Sequence, residues 1–218
     1  MELFHFICEK HGLDDIRNRR LKISEIQDLN DPFELIPFKL SNKDLRDALH
    51  KTKEQISSNR GILCFSKTWS NPVLWSHYAD KHRGLCLGFN VPSNGPGNIP
   101  MDVEYTAERL DSKILRPPLN ETVVKRLLST KFAHWEYENE ARVFVNLDKK
   151  DPKTNLYFTY FSDSLKLVQV IVGARSELSR KDLTSALGDM ATEIKVIQAG
   201  PSFTEFEIVQ NPNESLWA

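Results

Sequence analysis

Apolar residues in this chain fall into short runs separated by turn formers, and their spacing predicts strands alternating with short helices. Residues 2–7 read as a strand, and residues 13–20 as a helix with acids early and bases late. Residues 21–24 read as a second strand. Asn30-Asp31-Pro32-Phe33-Glu34 is a turn, because Asn and Asp side chains bond to nearby backbone and Pro32 holds Asp31 extended. Phe33 is expected to tuck into the core. Ser41 opens a helix with Asp44 at the third position of a capping arrangement, and Leu45 and Leu49 carry its apolar repeat on to Ile56. Residues 61–66 form a buried strand. After it Asn71 or Ser70 caps a helix with Pro72 at its first position and Leu74, Trp75, Tyr78 and Ala79 on one face.

Residues 83–89 return as a buried strand whose glycines point to close approach by backbone or ligand. Residues 92–100, rich in Pro, Gly, Ser and Asn, read as an exposed loop. A short strand at 102–105 and a helix at 121–132 lead into His134-Trp135-Glu136-Tyr137-Glu138-Asn139-Glu140-Ala141-Arg142-Val143-Phe144-Val145, which is expected to be a strand from Tyr137 onward. Further strands are expected at 156–161, at 167–172 with both faces buried, at 193–197 and at 203–209, with a helix opened by Ser179 and Asp182. No internal repeat is present.

A strand through the acidic segment would put Glu138, Glu140 and Arg142 on one face. Two carboxylates so close repel, raising the pKa of one, and Arg142 offsets the repulsion. Such a pair can stabilise an oxocarbenium-like centre and orient a hydroxyl. It can equally be a solvated edge-strand face with an ordinary Glu/Arg ladder.

With 218 residues, 40% hydrophobic and 27% charged, the chain has the profile of a globular protein, read as a single domain over 1–218. The net charge of −1 supplies no global attraction for nucleic acid, and no sequence feature supports a membrane partner. The N-terminus lacks a basic leader and its apolar run is too short for a signal peptide, so a cytoplasmic protein is expected. Cys8, Cys64 and Cys86, odd in number and each within an apolar run, are expected to be buried reduced thiols.

The six histidines show no metal-ligating spacing: His77 and His82 are five apart, His134 stands alone, and no metal site is assigned. A nuclease reading could use Glu193-Ile194-Lys195 but lacks the acidic partner upstream. Phosphate loops, dinucleotide fingerprints and nucleophile elbows are absent. Trp75 and Tyr78 carry more information, since a tyrosine one helical turn beyond a buried strand can stack on a planar heterocycle, with Ser66, Ser76 and His77 as nearby hydrogen-bonding groups.

Three segments together resemble a widespread bacterial family known as a domain of unknown function. They are Asn18-Arg19-Arg20-Leu21-Lys22-Ile23-Ser24 followed by Asn30-Asp31-Pro32-Phe33-Glu34; Leu63-Cys64-Phe65-Ser66 followed by Leu74-Trp75-Ser76-His77-Tyr78-Ala79 and Gly84-Leu85-Cys86-Leu87-Gly88-Phe89; and Trp135-x-Tyr137-Glu138-x-Glu140-x-Arg142. A weaker resemblance carries chemistry. The order of a histidine on the first strand, a strand-helix unit ending in tyrosine, and a Glu-x-Glu entering a strand is similar to the ADP-ribosyltransferase superfamily, and the C-terminal run from Ser164 to its DNA-modifying toxin branch.

That resemblance implies an α+β fold of split mixed sheets flanked by short helices. It implies Glu140 as the catalytic glutamate, Glu138 as the acid that positions the acceptor, Tyr78 as the nicotinamide-stacking aromatic, and His5, with Ser66 or Ser76, holding the ribose of NAD. NAD would be a substrate and a macromolecule, protein or nucleic acid, the acceptor, in a bacterial toxin or antiphage defence effector, with an antitoxin left open as a further partner. The glycine-rich turn usual near the nicotinamide amide is absent after His5. NAD glycohydrolase chemistry with the same residues, a nuclease and a non-catalytic binding module stay open as alternatives.

Overall fold

A computed structural model describes residues 1–94, 99–115, 119–213 and 217; part of the expected 92–100 loop, residues 95–98, lies outside them. In chain order the elements are β1 (Glu2–Ile7), α1 (Glu9–Asn18), β2 (Arg20–Lys22), β3 (Ser24–Glu25), α2 (Lys43–Ser57), β4 (Arg60–Ser66), α3 (Pro72–Tyr78), β5 (Leu85–Asn90), β6 (Met101–Asp102), β7 (Glu104–Thr106), α4 (Glu121–Ser129), β8 (Thr130–Phe132), β9 (Glu140–Asn146), β10 (Phe158–Tyr160), β11 (Lys166–Val172), α5 (Arg180–Leu187), β12 (Lys195–Pro201) and β13 (Ile208–Gln210). The fold is mixed α+β. It divides into two compact units, Met1–Lys22 with Phe65–Ile99 and Phe158–Ala218, and Ile23–Cys64 with Pro100–Tyr157.

In the first unit the strands run in the order β13, β12, β11, β5, β1. The β11–β12 pair is parallel, and the β12–β13, β11–β5 and β5–β1 pairs are antiparallel. On β1, Phe4 pairs with Ser66 at the end of β4. Phe4, Trp75, Ala79, Cys86, Ile171 and Ile197 form its core. Asn71 accepts a hydrogen bond from the Val73 amide with Pro72 at the first helical position, as the sequence predicts for α3. Ser179 likewise accepts from the Asp182 amide and donates to its carboxylate, which fixes the start of α5. At Gly84 a β-carbon would collide with the Ile7 carbonyl, so the expected close approach there is by backbone.

In the second unit β3 pairs antiparallel with β4, β4 neighbours β9, and β9 pairs antiparallel with β6, while β7 and β8 form a parallel pair. Ile26, Leu35, Phe38, Leu49, Ile62 and Leu127 make its core.

Several expectations are corrected. The α2 cap is Asn42 rather than Ser41, since its side chain accepts from the Asp44 amide. The helix expected through 132 stops at Ser129, after which Thr130–Phe132 is a strand. Phe33 points outward, at 53% exposure, while Asp31 and Glu34 of the same turn are buried at 3% each. Residues 203–207 precede the last strand, leaving Phe203 and Phe206 exposed. Cys86 is buried and Cys8 only half-buried, while Cys64 is half-buried as a residue but keeps its thiol buried; all three are free thiols. Among the described residues no helix is long and apolar enough to cross a membrane.

Candidate functional site

The stretch expected to be one strand from Tyr137 breaks in two. Ala133–Glu138 is a 3-10 helix, Asn139 adopts a left-handed conformation at φ 43°, and β9 starts at Glu140. Asn is among the few residues that take this conformation readily, so it can end the helix and turn the chain into the strand. Glu138 and Glu140 still converge, but a lysine joins them. Lys131 Nζ on β8 donates to Glu138 Oε2 at 2.5 Å and to Glu140 Oε2 at 3.3 Å.

Behind the lysine lies Arg142, which has no exposed surface. Its Nε and Nη2 donate to the two oxygens of Glu140 at 2.9 and 3.0 Å, and its Nη2 and Nη1 to those of Glu34 at 2.7 and 2.8 Å. A further bond from Nη1 reaches the Leu128 carbonyl at 3.1 Å. Planar guanidinium forks suit this double bidentate arrangement, in which each carboxylate is matched edge to edge. The Tyr105 hydroxyl accepts from the Glu140 amide at 2.8 Å, and the Lys131 ammonium sits 4.8 Å from the Trp135 ring centroid.

Electrostatics favour the charged forms of Glu140, Lys131 and Arg142. Burial raises the Glu140 carboxyl, but Arg142 and Lys131 beside it win, and its pKa falls below the ordinary 4.5. Burial likewise disfavours charge on Lys131, yet the carboxylates of Glu140, Glu138 and Glu34 raise it above its usual value. The Tyr105 hydroxyl is pushed up to about 12, first by burial. Cys64 is held well above its ordinary range by burial and by the adjacent Glu140 carboxylate. Three carboxylates, Glu34, Glu138 and Glu140, are thus gathered around two buried cations, Lys131 and Arg142.

Lys131 also lines a cavity of ≈ 230 Å³ on the second unit, together with Phe33, Ile36, Arg109, Thr130 and Phe132. Glu34 reaches the cluster because the Asn-Asp-Pro-Phe-Glu turn is pinned from inside: Asp31 Oδ1 accepts from the Phe33 amide at 2.9 Å, and Lys53 Nζ donates to the Glu34 carbonyl at 2.8 Å.

The remaining expected residues, His5, Ser66, Ser76 and Tyr78, belong to the first unit. Ser66 is buried and its hydroxyl accepts from the Thr68 amide at 3.2 Å. Because Ser66 pairs directly with Phe4, the two share a face of the sheet and His5, next along β1, takes the other, where its ring meets Phe65 edge-on. The α3 helix packs on the Phe4 and Phe6 side through Trp75, with the Phe6 and Trp75 rings 5.2 Å apart. The structure therefore brings Ser66 to the sheet face that α3 covers, and Ser76 and Tyr78 to that helix, but does not bring His5 together with them. Ser76 is exposed and Tyr78 half-buried with its ring edge-on to His77.

Sequence reasoning missed Lys131, Glu34, Tyr105 and Cys64 as members of the cluster. Only Glu34 carried a signal, its place in the turn motif. Among the described residues no group of His, Cys, Asp and Glu could hold a metal ion. No family model, curated protein or solved structure matches this chain.

Proposed function

We propose that the chain acts on NAD and transfers ADP-ribose to a macromolecular acceptor, with its reaction centre at Lys131, Glu138 and Glu140, as the ADP-ribosyltransferase resemblance suggests. The observation that carries this reading is the convergence of the Glu138 and Glu140 carboxylates on Lys131 in a buried cluster beside a cavity wall. Loss of nicotinamide leaves an oxocarbenium-like ribose, and fixed negative charge in a place poor in water stabilises a developing cation without reorganising. Within this reading Glu140 acts as a fixed anion, since Arg142 and Lys131 already bond its oxygens. Glu138, held by Lys131, orients the acceptor. That His5, Ser66, Ser76 and Tyr78 contact NAD is implied by the resemblance alone.

One observation favours a second reading, a binding module without turnover: the same saturation of Glu140 is what a purely structural ionic core requires. Nicotinamide release and incorporation of labelled ADP-ribose decide between them. Wild type should release nicotinamide, and Glu138→Gln should keep its fold and slow release while losing transfer to the acceptor. A wild type that releases no nicotinamide and whose melting temperature ignores millimolar NAD removes the transferase reading and leaves the binding module.

A further inference from the structure

We propose that the loop of residues 202–207, which joins β12 to β13 in the first unit, docks a protein partner that carries basic residues around an apolar pocket. The loop reads Ser202-Phe203-Thr204-Glu205-Phe206-Glu207, and its rings are the most exposed large apolar side chains among the described residues, Phe203 at 88% and Phe206 at 101%. A tight strand connection is ordinarily made with Gly, Asn, Asp or Pro, and none of these stands between Pro201 and Ile208. The phenylalanines therefore serve neither the turn nor the core. Single exposed apolar side chains are ordinary, but two aromatics three residues apart on one loop make a patch.

The backbone beneath them is fixed. Ser202 Oγ accepts from the Thr204 and Glu205 amides at 3.2 Å each, and the Ser202 amide donates to the Glu207 carbonyl at 2.9 Å. Pro201 pairs with Ile208 at the base of the loop, and the Ile208 amide donates to the Ser70 carbonyl at 2.8 Å. A loop already held in one shape has less freedom to lose on binding, and aromatics on such a frame are what interface centres use.

Charge selects the partner. Glu205 and Glu207 flank Phe206, both are exposed, and among the described residues neither forms an ion pair. From Val196 to Ala218 the chain holds no Lys, Arg or His. Nucleic acid and an anionic membrane would both be repelled by this loop, and two copies meeting loop to loop would oppose like charges. A protein surface with Lys or Arg around an apolar pocket gains from the rings and the carboxylates together. The two rings offer roughly 300–500 Å², the centre of an interface rather than the whole of a standard one.

The inference concerns this loop alone and is independent of the transfer reaction. Fluorescence anisotropy of the full chain with three labelled peptides of equal length tests it: one alternating Leu and Arg, one with Ser in place of each Leu, and one with Glu in place of each Arg. The leucine–arginine peptide should bind and the other two should bind at least about five-fold more weakly, since each lacks one of the two matching features. The double variant Phe203→Ser, Phe206→Ser should weaken that binding about five-fold or more with an unchanged melting temperature, because fully exposed rings support no core. Glu205→Gln with Glu207→Gln should weaken it too and flatten its dependence on salt. The proposal is overturned if the leucine–arginine peptide does not bind, if the serine–arginine peptide binds equally well, or if the phenylalanine variant keeps full affinity or loses thermal stability. It is also overturned if wild type, but not that variant, sediments with phosphatidylserine vesicles or self-associates, since the rings would then serve a membrane or a second copy.

Discussion

Replacing Arg142 by Met tests the ionic cluster most directly. The side chain is fully buried and donates five hydrogen bonds, two each to Glu34 and Glu140 and one to the Leu128 carbonyl. Methionine fills much of the same volume, so the loss is one of charge and hydrogen bonding. Three carboxylates then face one lysine. Removing one partner of a buried ion pair costs roughly 3–5 kcal/mol, a large share of the usual stability of a domain.

The pH dependence carries its own signature. In the wild type Glu140 titrates below 4.5, so its contribution is full above that pH and is lost as pH falls through the lower folded value. Without Arg142 the burial effect dominates and the carboxyl moves above 4.5. The penalty in Arg142→Met is therefore present at pH 8 and eases towards pH 5 as Glu140 takes up a proton. Urea unfolding of both proteins at the two pH values measures this. A loss below about 1 kcal/mol at pH 8, or one that does not change with pH, would refute the description of the cluster as a charged, mutually dependent core.

Two further outcomes are expected. Asp15, buried on α1 with Oδ2 unpartnered among the described residues, is pushed up to about 7 by burial first and by Asp14 next, so its ionised form costs stability above pH 7 and that cost fades as pH falls below it; Asp15→Asn should stabilise by on the order of 2 kcal/mol at pH 8 and by little at pH 5, and equal effects at both would contradict this. Cys86, wholly buried on β5 with its thiol raised by burial, should resist a thiol reagent until the chain unfolds, while half-exposed Cys8 reacts first; rapid native labelling of Cys86 would mean that β5 is not central in its sheet.

Local chemistry was legible in the sequence and distant partnership was not. Asn71 before Pro72, and Ser179 three residues before Asp182, announce their helices because a cap depends on residues within one turn. The apolar run of β11 announces a buried strand for the same local reason. The break at Asn139 was hidden, since the strand formers Val143, Phe144 and Val145 just downstream dominate the pattern count over one left-handed asparagine. Glu34 and Arg142 are 108 residues apart, and no local pattern says that a turn glutamate will bury its carboxylate on a strand arginine. Lys131 is the plainest miss. Lysines are almost always exposed, and only the three carboxylates gathered around this one make its burial intelligible.

The way the two units share the chain has a consequence for synthesis. The second unit is built from Ile23–Cys64 and Pro100–Tyr157, while the first needs segments before, between and after these. As the chain leaves the ribosome, β5 emerges long before its partner β11, and β4 long before β9, so neither core can close on early residues alone. The apolar strand β4 must wait, unpaired on one edge, until β9 arrives, and β5 until β11 arrives. A fragment ending before residue 158 would contain every segment of the second unit and only part of the first. Premature termination would therefore penalise the first unit more heavily, and in cells the nascent first unit is where chaperone protection would matter most.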